Sequence, residues 1–457
     1  MKRHIIYGHF GPKDVISIPK TRFETQINID LLNRKGKLNY GVQKIINDLI
    51  KIGLTPSETA IDLIILAIHI QAADTRISRT EDSQDTWTRE IRLIAPISNL
   101  KKWNSVSPIL KKTLDFLTGD LWTIQFRPRP KNTFSIIKKS GKNSPRKKIE
   151  SISLLSGGLD SLIGAINLLE TNHIPLFVSH ADEGIIKKTQ KIIIEQLKKQ
   201  YPQIDFSHLG AWIQFPKSLT GDSEPEKTTR GRSFLFFSLG ILAGSGLKDK
   251  FTLLVPENGF ISLNVPLDQL RLGSLSTHTT HPFYIARWNQ ILKVLQIPAK
   301  IINPYWNKTK GEIILECSNR SFLQKIMSSS LSCSSPTKGR WKGRIIPHCG
   351  YCAPCLIRRS AFKKGFNGKS DNTQYAIELS KRKLNTLRAE GKQVRSFQLA
   401  ARNLKLNPNF INILINNSGP LFDISSIDRK ILGKMYKRGI KEVESLLKNV
   451  GAEPLSK

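Results

Sequence analysis

Residues 153–162 read SLLSGGLDSL. A short apolar run meets two glycines, then an acid and a hydroxyl, then a second apolar run. IESISLLS (149–156) has the composition of a buried strand, and LIGAINLLE (162–170) reads as a helix. Strand, tight turn and helix start together suit an anion. Gly157 and Gly158 let the backbone approach a bound group and adopt positive φ. The helix start offers free N–H groups and a positive dipole end, and Ser156 and Ser161 add hydroxyls. Asp160 beside a phosphate requires Mg²⁺ between them, or else a role in holding the loop. No lysine follows the glycines as in G-x-x-x-x-G-K-[ST], and the spacing is not G-x-G-x-x-G. The plain alternative is an ordinary strand–helix turn with Asp160 as its cap.

Outward from the loop, strand-like and helix-like stretches alternate. IPLFVSH (174–180), IDFSHLG (204–210) and FTLLVPENG (251–259) read as strands. GIIKKTQKIIIEQLKKQY (184–201) and SFLFFSLGILAGSG (233–246) read as helices. This order predicts an α/β fold, a doubly wound parallel sheet with helices on both faces. Residues 127–148 are rich in Pro, Gly, Ser and Lys and hold no acid, the composition of a linker. The chain is therefore divided into residues 1–147, 148–365 and 366–457, the last a helical region. In the first part HIIYG, VISIP, TQINID, REIRLIAPI and LWTIQFRP suggest strands, and residues 41–71 suggest two helices, an α+β arrangement.

The 457 residues allow two to four domains at roughly 100–200 residues each. A hydrophobic content of 39% supports a packed core and excludes a disordered chain. The net charge of +35 favours anionic partners, nucleotides and nucleic acid among them; solvated basic faces are the simpler account. The most apolar stretch, IDLIILAIHI (61–70), is too short for a bilayer and carries Asp62 and His69, so a core helix is expected and no membrane association. The start, MKRHIIYGHFGPKD, lacks the apolar stretch of a secretory leader, and a cytoplasmic protein is expected.

Four of the five cysteines crowd into C-x15-C-x2-C-x2-C, formed by Cys333, Cys349, Cys352 and Cys355. In a chain without an export signal this reads as a metal site. Four thiolates suit structural Zn²⁺; an iron–sulfur cluster is the competitor. Cys317 stands apart and reads as a small buried apolar residue.

SGGLDS resembles the pyrophosphate loop of the PP-loop ATP pyrophosphatases. The resemblance implies that Ser156, Gly157, Gly158, Leu159, Asp160 and Ser161 bind ATP with Mg²⁺, which is cleaved between its α and β phosphates. It implies further that the adenine lies near Ser179 and His180, and that Lys310 reaches phosphate. Joined to C-G-x-C-x2-C followed by Arg358 and Arg359, the loop resembles the 7-cyano-7-deazaguanine synthase family over about residues 150–365. That family binds zinc through these cysteines and uses ATP to activate 7-carboxy-7-deazaguanine. The N-terminal extension and the polar stretches 255–267 and 272–282 resemble the synthase-like component of Qat anti-phage defence operons. Related defence proteins join a deazaguanine to a protein amine, which implies a partner protein from the same operon as acceptor.

Other residues carry two readings each. Arg230 and Arg232 precede a buried helix and could clamp phosphates or a substrate carboxylate, or stand solvated. Glu257 and Asn258 follow a strand, where ligands sit in parallel sheets, or simply form a turn. His278 and His281 could meet substrate or shuttle protons, or hold a loop. Thr309 and Glu312 form a capping box around Lys310. The functional expectation is ATP-dependent, AMP-forming transfer of a deazaguanine carboxylate to nitrogen, by a ligase-type enzyme in antiviral defence. The rivals are a PP-loop tRNA-modifying enzyme, thiolase-like, and a zinc-stabilised nucleic-acid-binding protein without turnover.

Overall fold

The computed structural model describes residues 3–19, 22–83, 85, 87–130, 148–220, 225–226, 228–247, 249–267, 278–334, 336, 346–368, 372–379 and 383–454. Of the expected linker, 131–147 lie outside these residues, as do 272–277 of the second polar stretch; 127–130 instead belong to the folded first part, where Arg129 is buried against Asp62.

Strands β1 (Arg3–His9), β2 (Glu24–Asp30), β3 (Glu90–Ile97) and β4 (Leu121–Pro128) form one sheet in the order β2-β1-β3-β4. Every pairing is parallel. Helices α1 (Val42–Lys51), α2 (Glu58–Arg76), α3 (Arg79–Asp82) and α4 (Leu100–Thr118) accompany it. The first part is thus α/β, which corrects the α+β expectation. Neighbouring parallel strands need a crossover, and α4 supplies the one between β3 and β4. VISIP is not a strand: Val15 is 88% exposed and has no sheet to pack on. The expected core helix is α2, capped by Ser57 and buried throughout from Ala60 to Asp74. Its polar residues are satisfied in part, since His69 Nε2 and Gln71 Oε1 have no partner among the described residues. Asp62 accepts from the Ser98 amide, Trp103 Nε1 and Arg129, and His69 Nδ1 lies 2.7 Å from the Ile65 carbonyl.

The second sheet holds β5 (Ser151–Leu154), β6 (Pro175–Ala181), β7 (Ser207–Trp212), β8 (Phe251–Leu254) and β9 (Ala299–Ile302). All pairings are parallel and the order is β7-β6-β5-β8-β9. Helices α5 (Leu159–Glu170), α6 (Gly184–Gln200), α7 (Arg232–Gly244), α8 (Gly259–Leu263), α9 (Pro282–Val294), α10 (Lys310–Leu315), α11 (Arg320–Ile326) and α12 (Ala353–Gly365) surround it. Side chains alternate along β5 and β6. Ile152, Leu154, Leu176 and Val178 join α7 and α9 in one core, and Phe177 faces α5 and α6 in another. The sheet is doubly wound, as the alternation predicts.

The first core also contains α2, which packs on α7, so the two sheets share one apolar interior across position 147. A third core joins α8 and α12 to α13 (Ala389–Leu406), α14 (Ile411–Asn416) and α15 (Ser426–Leu447). The last region is helical as expected, apart from the short pair β10 (Leu384–Asn385) and β11 (Ala452–Glu453). Among the described residues no helix is long and apolar enough to cross a membrane.

Candidate functional site

Strands β5 and β8 are neighbours, yet the chain continues from them toward opposite edges of the sheet. Ligands collect outside the carboxyl ends of strands at such a switch point. The SGGLDS loop leaves the end of β5, and PENG leaves the end of β8. Gly157 takes φ +92°, and a Cβ there would press at 3.3 Å on Thr189 and Gln190 of α6, so glycine is required. Gly158 caps α5 without a side-chain bond, leaving the helix start open. Ser156 Oγ accepts from the Gly158 amide at 3.2 Å and lies 3.1 Å from Ser161 Oγ, which donates to the Gly158 carbonyl. Gln190 Nε2 reaches the carbonyls of Ser156 and His180, tying the loop to the end of β6.

Asp160 faces inward from the first turn of α5. Its Oδ2 accepts from the amide and Nδ2 of Asn258, at 3.1 and 2.7 Å, and its Oδ1 from Lys310 Nζ at 2.7 Å. Asn258 is held from its other side, because its Oδ1 accepts from the Ile261 amide to cap α8. Lys310 is 5% exposed, so its charge is matched within the protein by Asp160. It begins α10 behind the capping box of Thr309 and Glu312, which forms as the sequence predicts. Glu442 of α15 receives the Thr309 hydroxyl, the Gly311 amide and Lys364. The C-terminal helix therefore holds the turn that presents Lys310.

Beside this pair lies Glu257, whose Oε2 takes the Thr280 hydroxyl. Burial pushes its carboxyl up to about 7, and the nearby Asp160 charge adds to the rise. Two carboxylates, an ammonium and an amide thus converge at the open helix start. Such a group can bind anionic oxygen and a divalent cation.

Ser179 and His180 are fully buried at the end of β6. The Ser179 hydroxyl is engaged with the Leu155 carbonyl and His208. Burial, with Arg232 nearby, pushes His180 down to about 4, so it is neutral at pH 7. Arg232 stands at this strand end, 3.6 Å from Asp182, on the loop side of the sheet. Arg230, His278 and His281 are not brought to the loop. Arg230 turns toward Trp87 and the Thr118 carbonyl. His278 and His281 pack on Phe116, and His281 bonds Ser418.

The four cysteine sulfurs all lie within 4.8 Å of one another and could hold a metal ion. Cys333–Cys352 and Cys349–Cys355 are each 3.9 Å apart. Gly350, at φ +84°, turns the Cys349–Cys352 knuckle, and the Cys352 amide donates to Cys349 Sγ. Arg358, fully buried on α12, binds Met327 O, Ser330 Oγ and Thr373 Oγ1, and reaches Ser332 Oγ at 3.3 Å. Ser332 in turn accepts from the Leu159 amide, and the Leu331 amide donates to the Gly157 carbonyl. The segment leading into Cys333 is thus the floor of the glycine loop. Cys317 is buried in the apolar interior, as expected.

Thr280, Gln190, Ser332 and Glu442 escape sequence reading, because each acts through a tertiary bond. Only Thr280 had a signal, its place in the hydroxyl-rich stretch STHTTH.

No family model and no curated protein matches the chain.

Proposed function

We propose that the chain is a PP-loop enzyme of the 7-cyano-7-deazaguanine synthase type, which activates a deazaguanine carboxylate with ATP and transfers it to nitrogen. The observation that carries this reading is the Asp160–Lys310 pair, 2.7 Å apart, at the open start of α5 on the sheet's switch point. The Asp160 and Ser161 amides of the first turn of α5, with the Ser156 and Ser161 hydroxyls, would bind the pyrophosphate end of ATP. Asp160 and Glu257 are the carboxylates that would hold Mg²⁺, and Lys310 would meet the α-phosphate as Asp160 turns to the cation. ATP supplies the chemistry by accepting the carboxylate oxygen at its α-phosphorus, releasing pyrophosphate. A nitrogen nucleophile then displaces AMP from the acyl carbon. Charge gathers on the departing pyrophosphate, where fixed donors at a helix start stabilise it.

Zn²⁺ is the metal proposed for the cysteines. A tetrahedral ion with Zn–S near 2.3 Å sets sulfurs about 3.8 Å apart, close to the two observed 3.9 Å pairs. Four thiolates leave no open position, so the metal would be structural.

The acceptor proposed is an amine of a partner protein in a defence operon, acting in the cytoplasm. The charge of +35 supports tRNA as the competing substrate. Nucleotide product analysis tests the reading: protein, ATP, Mg²⁺ and 7-carboxy-7-deazaguanine should yield AMP, and none without the acid. AMP formed with tRNA and not with the acid selects the competing substrate. No AMP with either sinks the enzyme reading.

A further inference from the structure

A cavity of about 260 Å³ lies where the three parts of the chain meet. Trp87 and Phe116 wall it from the first part, Arg230 and His278 from the second, Asn417 and Gly419 from the third. No residue of the glycine loop or of the Asp160 group lines it.

Arg230 is the charged group of this cavity and is only 6% exposed. Its guanidinium lies 3.8 Å over the Trp87 ring, and Nη1 donates to the Thr118 carbonyl at 3.0 Å. Its Nε and Nη2 are buried and have no hydrogen-bond partner among the described residues. The acids behind it are already engaged. Asp74 takes the Gly231 amide and faces Arg89, and Asp120 pairs with both Arg79 and Arg89. Burial and the charge of Arg79 pull Arg230 down to about 10, which leaves it cationic at neutral pH.

A buried guanidinium with two idle donors is costly unless an anion completes it. Nε and Nη2 form the edge that grips both oxygens of a carboxylate side by side. Two idle donors on one edge suit one carboxylate group. The rest of the wall is uncharged and mixes flat rings with the polar Asn264, Asn417 and Ser418. Phe116 and His278 lie 4.4 Å apart between ring centroids, and burial pushes His278 down to about 4, so it is neutral. His278 Nδ1 is a further buried nitrogen with no partner among the described residues.

We propose that this cavity is a second ligand site, which takes a small planar carboxylate: the carboxylate on Arg230 Nε and Nη2, the ring against Trp87, Phe116 and His278. The site does not rest on the AMP-forming reading, since the two share no residue.

Benzoate is the probe. Calorimetric titration into the full-length protein should show saturable binding, weakened at least roughly tenfold in Arg230→Gln, the scale of one charge-assisted bond. Arg230→Lys should not restore it, because lysine lacks the flat fork. Acetate should bind more weakly than benzoate, and inorganic phosphate should not compete. Asp160→Asn should bind benzoate normally, so loss of nucleotide chemistry leaves this result standing. Circular dichroism checks that each variant folds; if Arg230→Gln does not, His278→Leu provides the weakened site. No saturation at tens of millimolar benzoate, equal binding by a folded Arg230 variant, or preference for phosphate overturns the proposal.

Discussion

Lys310 Nζ lies 2.7 Å from Asp160 Oδ1, although 150 residues separate them in the chain. The contact joins the first turn of α5 to the first turn of α10 and sets one acid against one base at the mouth of the glycine loop. Asp160→Asn keeps the shape and the two bonds to Asn258 while removing the charge. AMP formation should fall at least about a hundredfold, the scale of losing one preorganised charged group, with the circular dichroism spectrum unchanged. Retained turnover would rule out its role at the cation.

Glu257 makes stability depend on pH. Its ordinary value is 4.5 and its folded value about 7, so the folded protein holds the proton longer. The contribution is fully present below about 4.5 and is lost as pH rises through about 7. Urea unfolding across this window should show wild-type stability falling by at most roughly 3 kcal/mol, and Glu257→Gln should flatten the fall. Thr280→Val removes the bond that favours the ionised acid, so the window should shift upward.

Cys349→Ser should lose the metal. Atomic emission should find about one zinc per wild-type chain and well under half of that in the variant. Cys317→Ser, outside the cluster, should keep it. Because Ser332 borders Cys333 and accepts from the Leu159 amide, chelation should lower both the melting temperature and AMP formation. An active, metal-free protein would separate the two sites.

Arg89 is fully buried between Asp74 and Asp120, and it also binds the Ile77 carbonyl. Arg89→Met takes the nearest cation from Asp74 and leaves Asp120 with Arg79 alone. Unfolding free energy should drop by about 3–5 kcal/mol, read from the urea midpoint. Arg89→Lys should recover little, since one ammonium cannot span both acids.

Four strands of the second sheet were legible because short strand-like runs alternate there with helical ones and are punctuated by glycine; β9, the short AKII, gave no such signal. The first sheet was misread for a local reason. α4 carries Pro108 in its interior and many polar residues, which hides the crossover that makes β3 and β4 parallel. The cysteines and the glycine loop announce themselves by spacing. Their connection does not, because Ser332 meets Leu159 across 173 residues. Arg230 illustrates the same limit: its neighbour Arg232 faces Asp182, while Arg230 points the other way onto Trp87.

The hold of Glu442 on the start of α10 has a consequence for synthesis. A nascent chain that has emerged as far as Gly365 already carries the glycine loop, all four clustered cysteines and Lys310. It does not yet carry α15, so the turn from which Lys310 reaches Asp160 has its capping box but not its bonds to Glu442. The ribosome therefore releases this brace of the Asp160 group only after everything it braces, and the group is complete only once α15 docks.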